Sequence, residues 1–546
     1  MGPPVPVTHA AQVPPPRPSV RELFFTVRGI GSRWPAATRS MAALAVPAVI
    51  LWFAGLGHEA LFAALGSFGV LYGENRPYRI RWRVIVIASA VMIASVAIMS
   101  TLGHVVGTDS STTAELGIVA VSVVIAGLAV YAGNALRLGP PGPLFVVLTG
   151  GIAATVARHG VAPLVLIGCT AAGAAGSLVA GMSPALLGRS RPQLASVDAA
   201  IAAIDDYIDA DAPRSSPLRH GASGHLLHAW SVLHDAAETD SALAQQLWAS
   251  HERLHRGSTP MTDATAGTFP TPLPRPTVRQ RLRASAHPRS HAAIAAMRVM
   301  VAAAAAGGLS VALGLTRPDW AIVAVVLVLQ LGPDRIRGAL RGAHRLAGTA
   351  VGLVLFALLH AAQPTTIALI GILAVLSFTI EITVVSNYGL AATAITPLAL
   401  LMSATGPAIW EPARDRLIET ALGVVLGVAA LWIVDARAHR RTTRWTRDEA
   451  VDDVVTLLDL LETRPPDTDE GRVRRRDVQW ALMEAEMAAT ESAIDDPAWA
   501  RDDWPAHVRL RHLGYETLAE CWKAAPGTTV DRSALSELRA LSDRVS

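Results

Sequence analysis

The chain has 546 residues, 51% of them hydrophobic and 17% charged, with a mean hydropathy of +0.37. That is too apolar for a soluble protein of this length, and composition predicts a polytopic membrane protein. A formal net charge of +3 gives no electrostatic case for a nucleic-acid partner, and two distant cysteines, Cys169 and Cys521, exclude a disulfide framework or a cysteine metal cluster.

Residues 1–38 open with "MGPPVPVTHAAQVPPPRPS", proline-rich and without the order of a signal peptide, and are expected to form a disordered cytoplasmic tail. Apolar segments follow at about 41–57, 61–73, 84–102, 116–134, 143–158 and 161–187, a first six-span block over 39–188. Residues 189–256 turn amphipathic, as in "QLASVDAAIAAIDDYIDAD", and predict a cytoplasmic helical segment. Within it, His225 and His228 can meet on one helix face beside His220 and His234, but a solvated face is the plainer assignment and no metal site is expected. A Pro/Thr-rich linker, 257–292, is expected to be extended and mobile. A second block spans 293–435, with segments at about 293–314, 319–332, 346–361, 365–382, 388–403 and 415–434, and 436–546 predicts a C-terminal cytoplasmic helical domain.

The two blocks match without gaps at their starts. Arg39 and Arg298, Gly55 and Gly314, Gly73 and Gly332 are each 259 apart (298 − 39, 314 − 55, 332 − 73). The fold class expected is therefore all-α, with two parallel six-helix transmembrane repeats each followed by a cytoplasmic helical bundle. The second segment of each block is short: Trp320 to Leu331 rises about 18 Å as a helix against a hydrocarbon slab of roughly 30 Å. Arginines follow both short segments, Arg76, Arg79, Arg81 and Arg83 in one, Arg335, Arg337, Arg341 and Arg345 in the other. Their side of the membrane, by the positive-inside rule, is the cytoplasm, which places both termini there. Arginine supplies nearly all the positive charge, Lys523 being the one lysine, a bias that with so much alanine points to a GC-rich bacterial genome.

The stretch "MRVMVAAAAAGGLSVALGLTRPDWAIVAVVLVLQLGPDRIRGALRGAHRLAGTAVGLVL", with Arg298, "RPDWA", Gln330, the arginines and "LAGTAVG", resembles the signature of the fusaric acid resistance and aromatic acid exporter family. "YGLAATAITPLALLM" and "RLIETALGVVLGVAALW" resemble that family's closing segments, and the plant aluminium-activated malate transporters are similar in outline. The first block resembles it less, since "HEALFAALGSFGVLYG" lacks the Trp and Gln of its partner. The resemblance implies export of aromatic carboxylates or related organic anions across the bacterial inner membrane, driven by the proton gradient. An anion channel is the alternative, as is a membrane scaffold whose bundles bind a partner.

Candidate substrate contacts come from the broken segments, because irregular backbone at membrane depth survives only where it is buried or lines a cavity. Thr149 and Gly150 of the fifth segment align with Thr396 and Pro397. Arg337, Arg341 and Arg345, spaced by four, are expected to share a helix face, with Arg79 and Arg81 their first-block partners. A guanidinium fork suits a carboxylate, Trp320 or Tyr388 can stack an aromatic ring, and Gln330 inside an apolar run needs a partner. Plain membrane anchoring competes for most of the arginines. Glu74, Asp319 and Glu381, at segment edges, are the carboxylates available for proton coupling. No P-loop, G-x-S-x-G or H-E-x-x-H motif occurs, so neither an enzyme nor a cofactor is expected. Expected partners are membrane lipids and a small organic anion, with a homo-oligomer or a periplasmic accessory subunit left open.

Overall fold

A computed structural model of the chain describes residues 13–26, 33–139, 141–186, 188, 190–256, 271–332, 334–403 and 410–545. The first dozen residues of the proline-rich tail and residues 257–270 of the linker lie outside them. Every regular element among the described residues is a helix. After α1 (Val20–Phe25), the first membrane half comprises α2 (Trp34–Leu51), α3 (Ala63–Ser67), α4 (Tyr78–Val106), α5 (Thr112–Ala135), α6 (Leu144–Arg158) and α7 (Pro163–Met182). Three amphipathic helices follow, α8 (Arg191–Asp209), α9 (Pro217–Ala236) and α10 (Ala242–Arg256), then the short α11 (Val278–Ala284). The second half is α12 (His291–Ala312), α13 (Pro318–Leu329), α14 (Arg335–Ala361), α15 (Thr366–Thr383), α16 (Tyr388–Ser403) and α17 (Trp410–Ile433). The chain closes with α18 (Ala438–Leu461), α19 (Asp469–Asp495), α20 (Pro497–Lys523) and α21 (Arg532–Ser542).

Eight helices, the first running from Trp34 through α3 to Leu71, are long and apolar enough to cross a membrane, while α6, α13 and α16 are shorter. The twelve segments thus differ in kind. The second and fifth of each half are short, and they are the buried ones: Trp320 to Leu329 of α13 and Leu144 to Ala154 of α6 have no exposed residue. A helix ringed by longer neighbours needs no lipid face, which is why α13 is apolar all round. By contrast α4 turns Ile87, Val91 and Ile98 outward, the apolar exterior of a helix facing lipid.

The glycines paired by sequence do the same work in both halves. Gly55, Gly73, Gly314 and Gly332 all have positive φ, a backbone region that favours glycine, and they bracket the short second segment on each side. Helix partners also correspond. α4 packs on α6 and α7 as α14 packs on α16 and α17, and across the halves α2 packs on α15 as α12 packs on α5. Two further glycines allow close helix-to-helix approaches. An added Cβ at Gly173 would overlap the carbonyl oxygen of Ala63, and one at Gly423 that of Ala321. Gly173→Ala and Gly423→Ala are therefore each expected to destabilise by about 1–3 kcal/mol, read as a lower melting temperature in detergent, since backbone cannot yield as a flexible side chain does.

The soluble helices form one body on one side of the membrane segments. α8 to α10 pack around Val197, Leu226, Trp230 and Leu247, and α18 to α21 around Val454, Leu458, Leu482 and Leu513. Arg214 pairs with Glu516, the Tyr515 hydroxyl lies 2.7 Å from His220 Nδ1, and Trp522 packs on Trp248 and His251, joining the two sets. The described part of the linker is not free. Arg275 pairs with Asp235 at 3.0 Å, and the Thr271 carbonyl accepts from Arg472 at 3.0 Å. The stretch expected to be mobile is tied down at its carboxyl end, and it runs into a helix, α11, within the predicted linker.

Three histidines at this junction, His251 and His255 buried and His220 part-buried, are held neutral. Desolvation pushes His251 down to about 3 and His220 to about 4, and His255 well below its usual value. A histidine near 6.5 when unfolded takes up a proton on unfolding in acid, so its contribution is present above about pH 6.5 and lost as pH falls, by up to about 1.4 kcal/mol per pH unit. Part-buried Asp453 and Asp495, both raised to about 6, respond in the opposite sense. The histidine contribution is therefore read by difference: His251→Gln is expected to shrink the loss of melting temperature between about pH 7 and pH 5. An unchanged pH response in that variant would contradict it.

Candidate functional site

The polar residues of the second half converge where α13, α14 and α17 meet. Trp320 is buried, and the guanidinium carbon of Arg416 lies 3.4 Å from its ring centroid, that of Arg317 4.7 Å. Arg416 is fully buried, yet Nε, Nη1 and Nη2 have no hydrogen-bond acceptor. Arg345 is buried as well; its Nη1 donates to the Tyr388 hydroxyl at 3.3 Å, while Nε and Nη2 have no acceptor. Arg416 sits six residues into α17 (416 − 410) and Arg345 ten into α14 (345 − 335), about 9 and 15 Å along their helices. Two guanidiniums buried inside membrane-length helices with five of their six nitrogens lacking an acceptor are costly, and such groups mark substrate or ion pathways. Thr349 and Thr420, one turn beyond each arginine, add two buried hydroxyls without partners.

Carboxylates approach from the side opposite the soluble body. Glu419 is buried on α17, its Oε1 accepting from the Arg317 amide at 2.7 Å. Asp319 is held by Arg317 through two bonds of 3.1 Å, and Asp415 accepts from Thr316 at 2.8 Å. Next to them lies a cleft of about 390 Å³ between the halves, lined by Glu115, Gly151, Arg158, Asp319 and Ile322. Arg158 closes its first-half wall, donating to Glu115 at 2.9 Å and to the Gly107 carbonyl at 2.9 Å.

On the side of the soluble body a second charged cluster joins the halves. Arg33 pairs with Glu381 and, at 2.8 Å, with Glu74, which also takes Arg39 at 3.3 Å. All three carboxylates considered for proton coupling are thus in ion pairs, two of them shared with Arg33. Here α1 also docks. The Phe24 carbonyl accepts from His344 and Asn387, both at 3.0 Å, directly beside Arg345 and Tyr388.

The arginines spaced by four do not share a role. Arg337 is half exposed, with Asp334 at 3.5 Å. Arg341 donates to the Leu327 and Val328 carbonyls at 3.2 and 2.9 Å, capping α13, and Arg345 alone reaches the site. Trp320 has Arg416 where a substrate ring would stack, so it positions a cation and offers no open face there. Gln330 lies at the other end of α13; its backbone carbonyl accepts from Asn134 at 2.8 Å and its Oε1 has no donor. Thr396 bonds back to the Ala392 carbonyl at 3.0 Å, and with Pro397 it packs close to Gly352 of α14. Thr149 and Gly150 are buried in α6, Arg79 is exposed, and Arg81 is buried with Nε and Nη2 unpaired, all in the first half. Sequence reasoning missed Arg416 and Glu419. The signal is "RLIET", two charges three apart near the start of the segment placed at about 415–434.

Residues 301–430 match the family model described as fusaric acid resistance protein-like. That stretch holds Trp320, Arg345, Tyr388, Arg416 and Glu419, the whole convergence. The chain is 25% identical over 269 residues to the uncharacterized membrane protein YvaC of Bacillus subtilis (strain 168), covering 47% of this chain. It spans about 40% of the length of that relative. No solved structure matches the chain. Together with its apolar helices, these likenesses make it a multi-pass membrane protein with a fusaric acid resistance-like second half.

The first half lacks the charges of that fusaric acid resistance-like half. Gly173 and Gly423 hold equivalent places against α3 and α13, and seven residues before each stand Leu166 and Arg416. Cys169 likewise stands where α17 has Glu419, and both Thr170 and Thr420 are threonine. All six are buried, so two of the three positions carry a charge in the second half and none in the first.

Proposed function

We propose that the protein is a secondary transporter that exports aromatic carboxylates or related organic anions across the bacterial inner membrane, energised by the proton gradient. The observation that carries this reading is the pair Arg345 and Arg416, buried at membrane depth with guanidinium nitrogens that lack acceptors. A carboxylate would satisfy both forks, and the electrical part of the gradient, negative inside, pushes an anion outward by about 2.3 kcal/mol per charge per 100 mV.

The two membrane halves act as parallel repeats that rock about the site, with both termini and the soluble body on the cytoplasmic side. Charged clusters flank it as gates: Arg33, Glu74 and Glu381 towards the soluble body, and Arg158, Glu115 and Asp319 on the opposite side. Alternating access fits this arrangement better than an open pore, since the lining of the cleft includes neither Arg345 nor Arg416.

The test is uptake of labelled benzoate into inside-out vesicles containing the protein, with and without an imposed proton gradient. Accumulation that collapses with the gradient supports the exporter. Equilibration indifferent to it marks a channel, and absence of any flux leaves a scaffold.

A further inference from the structure

Three carboxylates stand near Arg416. Asp319 gives both oxygens to Arg317, and Asp415 gives one to Thr316 and the other to Arg414. Glu419 gives Oε1 to the Arg317 amide, but Oε2 is buried with no donor. It lies one turn from Arg416 on the same helix, so the two side chains are neighbours on one face. From α14 the nearest cation is Arg345, and Arg298 of α12 is at the far end of α17, bonded to the carbonyls of Val434 and Asp435. Of these three carboxylates, Glu419 alone keeps an oxygen without a donor, and it does so beside a guanidinium without an acceptor.

We infer that Glu419 is the internal counter-ion that a substrate anion displaces at Arg416, the residue that sets how weakly the anion is held. This rests on the anion site proposed above. A carrier with two unopposed guanidiniums would bind a carboxylate too tightly to let it go, and in a site this dry Glu419, when ionised, opposes a second negative charge one turn away strongly. Glu419 supplies that opposition when the substrate is bound and partial neutralisation when it is absent. Cys169 in the equivalent place of the first half has no such charge and faces no arginine, Leu166 standing where Arg416 does, so the chain carries the device once.

The experiment uses the full chain, benzoate as probe, calorimetric binding in detergent and benzoate exchange in liposomes. Glu419→Gln is expected to lower the Kd of benzoate by about tenfold or more while slowing exchange, an opposite movement of affinity and turnover that loss of packing would not produce. Glu419→Cys, carrying the residue the first half has there, is expected to do the same, and Glu419→Asp to restore values near those of the unaltered protein. Folded Gln and Cys variants that bind benzoate no more tightly than the unaltered protein would overturn the counter-ion. A different failure identifies the underlying site: if the unaltered protein binds no benzoate, or Arg345→Gln binds it undiminished, the anion site falls and this role with it.

Discussion

Arg416→Leu is expected to abolish benzoate exchange and to weaken benzoate binding by at least about 100-fold, while raising the melting temperature of the ligand-free protein. The two effects share one cause. The guanidinium is buried against Trp320 with none of its three nitrogens accepted, so without a ligand no hydrogen bond offsets its desolvation, and replacing buried charged groups by apolar ones is commonly neutral or stabilising by about 1–4 kcal/mol. With a carboxylate present the same group makes a charge-assisted pair, and removing one partner of a buried pair costs about 3–5 kcal/mol. Leucine is the residue found at the equivalent place in the first half, where it is fully buried. Differential scanning fluorimetry beside exchange assays reads both quantities. A variant that loses exchange and melts lower would show that Arg416 is structural.

Arg298→Ala is expected to behave in the reverse manner, losing stability by about 3 kcal/mol or more and with it the folded yield in detergent. Arg298 is as buried as Arg416, but its Nε donates to the Val434 carbonyl at 2.9 Å and its Nη2 to the Asp435 carbonyl at 2.8 Å. It closes the last turn of α17 from a different helix. A cation at a helix carboxyl terminus also meets the negative end of the backbone dipole. Truncation leaves those carbonyls without their side-chain donor. Arg298→Lys, with one compact ammonium in place of a fork, is expected to recover only part of the loss. An unchanged melting temperature would mean that these carbonyls find other donors.

The contrast between these arginines shows where sequence stops being informative. Segment lengths, the short second element and its glycine turns could be read because each depends on local composition: twelve apolar residues of α13 cannot make a full span, and Gly73 and Gly332 end runs that must reverse. Which arginine turns inward could not. Arg337, Arg341 and Arg345 share one spacing, yet each step of four rotates the position by about 40° and climbs about 6 Å, so one reaches water, one the end of α13 and one the buried site. Packing, not periodicity, separates them. Arg416 and Glu419 lie inside the segment placed at about 415–434, but no local pattern shows that they turn towards Trp320, and the anchored end of the linker depends on Arg275 meeting Asp235, a contact between elements no local pattern records. The sequence offers Trp320 as a stacking face for a substrate ring, and in the structure that face holds the protein's own Arg416.

The docking of α1 has a practical consequence for handling the protein. One main-chain oxygen, that of Phe24, is shared by His344 of α14 and Asn387 at the start of α16, and the Phe24 ring lies against His344 with centroids 4.4 Å apart. Any mass or tension applied to the preceding residues is delivered to the two helices that carry Arg345 and Tyr388. An affinity tag or fluorescent fusion at that end would load the site being measured, so labels belong after α21, where the chain leaves the soluble body away from the membrane helices.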